Sequence, residues 1–357
     1  MADLDVINAL LAKVGKDFAF ELEGEAVVGL RLTSEDHIFG GLIRHHTASE
    51  KEEILSLIAK LEHLRLLDLR RCMVMNTPDR LAALTKLTHL DLGSNFLGKV
   101  PDWISAIEKL EYLNLAVNLL TAVPNFVTKF RDIRVFLVHK NEIESMPDGC
   151  AEFRSIEYLN LYLNRMMQIP DFVWRLTSLK SFSWGLSNVK ALSPEIANLQ
   201  QLEYLTFVSN KITELPDSFA SLKKLKATRL HKNRLNHLPK NIGDLESLEQ
   251  LTLYQNKLNS LPPGFSQLKR LQKLNLAWND FREVPTALSS MPSLKWLALF
   301  DNPKELETSS LSHVESVLPV RPFNARINHG TFISTPEKFG PDLQALVDRK
   351  IEVSDDI

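Results

Sequence analysis

Residues 248–262 read LEQLTLYQNKLNSLP, and the alternation inside this stretch decides the fold. Leu251 and Leu253 alternate with Thr252 and Tyr254, the period-two pattern of a strand with one buried face. Leu248 stands three residues before them and Asn256 closes the strand. Leu258 and Leu261 then turn back to the apolar side ahead of Pro262. One such unit cannot bury its own apolar face, so it must be stacked on copies of itself.

The copies keep strict register. The first-leucine position recurs every 23 residues at Leu64, Leu87, Leu110, Ile133, Ile156, Leu179, Leu202, Leu225, Leu248, Leu271 and Leu294. The asparagine position reads Cys72, Asn95, Asn118, Asn141, Asn164, Ser187, Asn210, Asn233, Asn256, Asn279 and Asn302. Six residues beyond it stands a proline in nine of the eleven units, from Pro78 to Pro285. Asparagine suits a place where the chain leaves a strand with its backbone groups buried, because one amide both donates and accepts. Ser187 is too short for that role and Trp184 is bulky for an inward position, so their unit is expected to be the weak point of the stack. Thr228 is the other inward-facing departure.

A chain of 357 residues would ordinarily divide into two or three domains, but a repeat array lengthens without needing a second core. A net charge of −2 gives no bulk reason to expect nucleic acid or an anionic membrane. The opening residues carry early acids and no basic segment before a long apolar run, which does not read as a secretory leader. No apolar run approaches the roughly 18 residues of a membrane span. Cys72 and Cys150 sit three units apart, roughly 14 Å at the spacing of stacked strands, too far for a disulfide. Two reduced, buried thiols in a cytoplasmic setting are the expectation.

Four segments are expected. Residues 1–26 read as an N-terminal cap, with Val6, Ile7, Leu10, Leu11 and Val14 on one helical face and Gly15 as the stop. Residues 27–63 form a degenerate first unit on Val27, Leu30 and Leu32, with an insertion carrying His37, His45 and His46. The three histidines match no metal-ligand spacing, so a surface loop is expected there and no metal. Ser49 and Glu52 read as a capping box for a short helix with Ile54, Ile58 and Leu61 inward. Residues 64–302 are the regular array, and 303–357 a C-terminal cap and tail. Within that tail LETSSLSHVESVL patterns as a further helix, with Leu311, Val314, Val317 and Leu318 on a face, and Pro341 opens another.

The sequence has no phosphate-binding loop, no GxSxG elbow, no HExxH and no paired CxxC. Neither catalysis nor a cofactor is expected.

With these residues in view, the array resembles the intracellular leucine-rich repeat proteins of the Ras-suppressor type, with their 23-residue LxxLxLxxNxLxxLP unit. The resemblance implies an α/β, right-handed horseshoe-shaped solenoid. Its parallel sheet would line the concave face, and short helical or 3-10 segments the convex one. It further implies a protein-interaction scaffold in signalling. A monomer is expected, binding another folded domain on its concave face. A pathogen-type effector, or a binder of nucleic acid or a small molecule, is the alternative.

The strand positions equivalent to Gln250, Thr252, Tyr254 and Gln255 are expected to face the concavity. All five tyrosines of the chain, Tyr112, Tyr158, Tyr162, Tyr204 and Tyr254, fall on them, and Trp278, Trp296 and Phe300 continue the belt. His139, Lys140, Arg229 and His231 share the face. Tyrosine favours strands in any case. A long apolar ledge facing solvent nevertheless marks an interface, and aromatic residues dominate binding hot spots.

Overall fold

The computed structural model describes residues 2–15, 18–32, 42–303 and 316–318. The helix α1 (Asp3–Val14) ends at Gly15, whose φ of 96° only glycine adopts without strain. A hairpin of β1 (Ala19–Glu23) and β2 (Ala26–Arg31) follows, then the helix α2 (Ala48–Ile58). Eleven strands come next at the 23-residue interval. They are β3 (Leu66–Asp68), β4 (His89–Asp91), β5 (Tyr112–Asn114), β6 (Val135–Leu137), β7 (Tyr158–Asn160), β8 (Ser181–Gly185), β9 (Tyr204–Val208), β10 (Ala227–Arg229), β11 (Gln250–Thr252), β12 (Lys273–Asn275) and β13 (Trp296–Ala298). A last strand, β14 (Ser316–Leu318), closes a single sheet ordered β1 to β14. Only β1 with β2 is antiparallel, so the twelve strands that the repeat calls for run parallel from β2 to β13.

The ten units of β3 to β12 each return from their strand through a 3-10 helix, from Asp79–Ala83 to Thr286–Ser290. The proline explains the tight geometry. In all nine proline units the carbonyl of that proline accepts the N–H of the apolar residue three places on, as from Leu81 to Pro78 at 3.1 Å and from Phe265 to Pro262 at 2.9 Å. The amide hydrogen that proline lacks has no partner to lose at a helix start. The apolar residue so placed is buried in every unit, Cys150 among them, and it meets the strand leucines in one continuous core.

The asparagines tie neighbouring turns together. Asn118 Nδ2 donates to the carbonyl of Leu115 in its own unit and to that of Leu92 in the unit before, each at 3.0 Å. Its Oδ1 accepts the N–H of Leu97 at 3.0 Å. The same triad recurs at Asn141, Asn256 and Asn279.

Immediately before each of these positions the backbone is left-handed, with φ of 51–57° at eleven residues from Arg71 to Asp301. None is glycine, and Val117 is β-branched, the residue type for which this conformation costs most. The ladder enforces it. Val117 N–H donates to the carbonyl of His139 in the next unit at 2.9 Å, carrying the interstrand bonding one residue past the strand.

Two expectations are corrected. The capping box of α2 is Thr47 with Glu50, not Ser49 with Glu52. Thr47 Oγ1 accepts the N–H of Glu50, whose carboxylate takes the N–H of Thr47 at 2.7 Å. Starting two residues earlier adds half a turn and leaves Ile54, Leu55 and Ile58 buried. Ser316–Leu318, read as part of a helix, instead pairs with β13, Trp296 opposite Ser316 and Leu297 opposite Val317. An unpaired strand edge offers a row of backbone donors and acceptors, and this outweighs the helical spacing of Val314, Val317 and Leu318. Leu311, Val314, the helix expected at Pro341 and His37 lie outside the described residues. Among those described, no helix is long and apolar enough to cross a membrane.

Candidate functional site

Alternation along the strands leaves three side-chain columns on the concave face, those of Gln250, Thr252 and Tyr254, bordered by two rims. The rim at the N-terminal ends of the strands alternates in charge from unit to unit, through Glu111, Arg134, Glu157, Lys180, Glu203 and Lys226. Neighbours neutralise one another: Arg134 lies 2.5 Å and Lys180 2.9 Å from Glu157, and Lys226 lies 2.6 Å from Glu203. An open hollow of about 1010 Å³ lies against this rim, lined by Glu111, Arg134, Glu157 and Lys180 among others. It is polar and unenclosed, unlike the apolar pockets that hold small molecules.

The floor differs between its two halves. In the first, Arg70 reaches Asp68 at 2.7 Å and Asp91 at 3.4 Å, all three buried. Asp91 also accepts from Gly93 N–H, Asn114 Nδ2 and the Tyr112 hydroxyl. Burial and the neighbouring Asp68 nevertheless push its carboxyl up to about 7, against the pull of Arg70. Tyr112 and Tyr158 are only 3% and 4% exposed, packed with Leu66, Ala116, Val135 and Leu137. They offer a partner almost no surface, so the expected ledge of five exposed tyrosines is reduced to three.

Those three are half-buried: Tyr162, Tyr204 and Tyr254. The ring of Tyr162 lies over Gly185, with Cε2 2.6 Å from where a β-carbon would stand, so the glycine makes its room. Tyr254 stacks on His231 with centroids 4.3 Å apart and planes 13° from parallel. Tyr254 meets Trp278 edge-on at 6.3 Å, and Trp278 meets Phe300 edge-on at 6.3 Å. Trp278 stands on the left-handed position and not in the column of Tyr254. It leans across the small Ala277, which occupies that column, and its indole N–H donates to Asp301. Four successive units thereby share one aromatic ledge. Trp296 is half-buried in the outer column.

The basic members are set apart from one another. His139 and Lys140 follow β6 in its own unit, four units before His231. Burial first, and Lys140 second, drive the His139 imidazole down to about 4. Burial first, then Arg229 and Lys232, take His231 down to about 3, so both rings are neutral at pH 7. Burial also lowers the Arg229 guanidinium, which stays charged.

Sequence reasoning passed over the opposite rim. Just after the asparagine position most units carry a polar residue, as Glu142 and Arg165, which pair at 3.0 Å. Three successive units carry Met73, Phe96 and Leu119 there instead, and Phe96 and Leu119 are 43% and 48% exposed. The signal was in the chain, as apolar residues at a repeat position otherwise occupied by polar ones.

Cys72 and Cys150 are buried and unpaired, their thiols pushed up by burial.

The leucine rich repeat family profile matches residues 229–281, and a second leucine rich repeat profile matches residues 86–107. No curated protein matches the chain. Among solved structures, a leucine-rich repeat protein of Leptospira interrogans is 29% identical, with a TM-score of 0.70, covering 73% of this chain and 68% of that one. An internalin (inlF) of Listeria monocytogenes is 18% identical with a TM-score of 0.66, over 90% of this chain and 96% of that one. The plant peptide hormone receptor RGFR1, in complex with RGF2, is 24% identical with a TM-score of 0.54, over 70% of this chain and 49% of that one. Register, profiles and neighbours agree: the fold is a leucine-rich repeat solenoid.

Proposed function

We propose that the chain is a non-catalytic adaptor that holds a partner protein against the C-terminal half of its concave face. The observation that carries this is the half-exposed stack of His231, Tyr254, Trp278 and Phe300. Four rings on adjacent strands span ~14 Å, a rigid apolar surface that loses little conformational freedom on binding. Such a strip is too open for a metabolite and suits a second protein. The binding of RGF2 by a receptor of similar fold supports the same use of a repeat array. Unpaired cysteines support a reducing, cytoplasmic compartment. A nucleic-acid partner is disfavoured because Arg31, Arg70, Arg134 and Lys226 are already matched by carboxylates, leaving no continuous basic stripe.

The test is quantitative capture from native lysate by the wild-type chain and by three variants. Tyr254→Ala and Trp278→Ala should each weaken the shared partner by about 1–3 kcal/mol. Lys223→Ala, on the convex side, should change nothing. Unchanged capture by both concave variants, with loss in the convex one, overturns the reading.

A further inference from the structure

Three arginines lie on the concave floor in the columns of Thr252 and Tyr254, and two of them are matched. Arg31 sits 2.8 Å from Glu21, and Arg70 sits between Asp68 and Asp91. Arg229 is different. Its register neighbours are Thr206 and Thr252, and among the described residues no carboxylate lies within 4.0 Å of its guanidinium. It is half-buried all the same. The His231 Nδ1 beside it is buried and also has no hydrogen-bond partner. Tyr254, stacked on His231, is close enough for its phenol to feel the Arg229 charge, and Tyr162, leaning over Gly185, is close enough to act on the Tyr254 phenol in turn. On the floor and the left-handed positions beside it, from β9 to β13, the charged residues are Arg229, Lys232 and Lys273 against Asp301 alone, and Asp301 is engaged by the Trp278 indole.

A guanidinium drawn partly out of water without a counter-ion is costly, and the cost is removed when an anion docks. Its planar fork matches a carboxylate through two parallel hydrogen bonds, better than any single donor could. The surrounding rings exclude water and favour a flat, extended chain. The ledge admits about four residues of such a chain at ~3.3 Å each.

We infer that Arg229, walled by His231 and Tyr254, is a carboxylate subsite that takes one acidic residue of an extended peptide segment. The assignment rests on the concave-face reading above and names the chemistry of the partner. The acid is held by the Arg229 fork while flanking apolar side chains lie on Tyr254 and Trp278. No bond is made or broken.

The probe is an array of random octapeptides, C-terminally amidated, with a matching array bearing free C-termini. The full chain should retain peptides enriched in Asp or Glu at one position, with aromatic or aliphatic residues beside it. Replacing that acid by its amide should reduce retention about tenfold, and Arg229→Gln should abolish the acid preference by about the same factor. Arg229→Lys, which keeps the charge but not the fork, should fall between the two. A preference shown only by the free-end array assigns the terminal carboxylate as the source. An unchanged melting temperature in Arg229→Gln separates lost recognition from lost folding.

Three results overturn the assignment. They are an acid preference that survives Arg229→Gln, retained peptides that show no such preference, and no retention at all. In each case the capture experiment with Tyr254→Ala and Trp278→Ala still decides the concave-face reading separately. Peptide retention that ignores both of those substitutions overturns the concave-face reading itself.

Discussion

The hydroxyl of Ser187 donates to Oδ1 of Asn210 at 2.7 Å while accepting the indole N–H of Trp184 at 2.8 Å. A three-member relay thus replaces the asparagine triad at the unit where serine stands in the asparagine position. The bulk of Trp184 is what lets a short serine serve. This unit was expected to be the weak point, yet β8 and β9 are five residues long and pair along their whole length.

Ser187→Ala should therefore cost about 1–3 kcal/mol in urea unfolding, because two buried polar groups lose their partner at once. Combining Ser187→Asn with Trp184→Leu restores the pattern of the other units and should recover most of the loss. A Ser187→Ala midpoint equal to wild type would refute the relay.

Thr228 occupies an inward position filled by leucine or phenylalanine in the other regular units, is 1% exposed, and its hydroxyl has no hydrogen-bond partner. Valine has the same shape without the desolvated group. Thr228→Val should raise stability by about 1 kcal/mol, read as a higher denaturant midpoint at constant slope. A lower midpoint would show that the hydroxyl is satisfied in solution.

Tyr158 belongs to a packed cluster and not to an exposed surface. Tyr158→Ala should accordingly destabilise by ~3 kcal/mol, the cost of emptying a buried aromatic site. Tyr254→Ala should cost well under half of that while weakening the partner. The comparison is made by thermal melts run beside the capture assay, and equal destabilisation would contradict the different burial of the two rings.

Acid should destabilise the fold through its histidines. His139 and His231 are held neutral down to about 4 and about 3, whereas unfolded imidazoles protonate near 6.5. Below that value the unfolded chain binds more protons, so stability is fully present above pH 6.5 and falls toward pH 4. The slope is at most ~1.4 kcal/mol per pH unit for each ring. Asp91 works the other way over much of this window. Burial raises its folded carboxyl above the ordinary carboxylate range, so its contribution is present in acid and falls as pH rises through the raised value. Urea unfolding between pH 4 and 8 should show a shallower acid slope in His139→Gln/His231→Gln and a steeper one in Asp91→Asn. Identical slopes in all three proteins would exclude both assignments.

The 23-residue spacing alone determined the positions of the eleven strands β3 to β13, the inward leucines and the buried asparagines. These are local patterns, and a stack can satisfy them in one way only, since a slip of one residue would turn every leucine to solvent. The tertiary structure decided which of the concave residues reach solvent and which charges stay unmatched. Tyr112 and Tyr254 fall on strand positions that the pattern alone sends to the same face, yet one is packed among Leu66 and Val135 while the other rides on His231. Arg70 and Arg229 likewise face the same cavity, but only Arg70 has aspartates beside it on its own and the next strand. Exposure and pairing depend on side chains 23 residues away in the chain and one strand away in space, a relation that periodicity aligns but does not fill in.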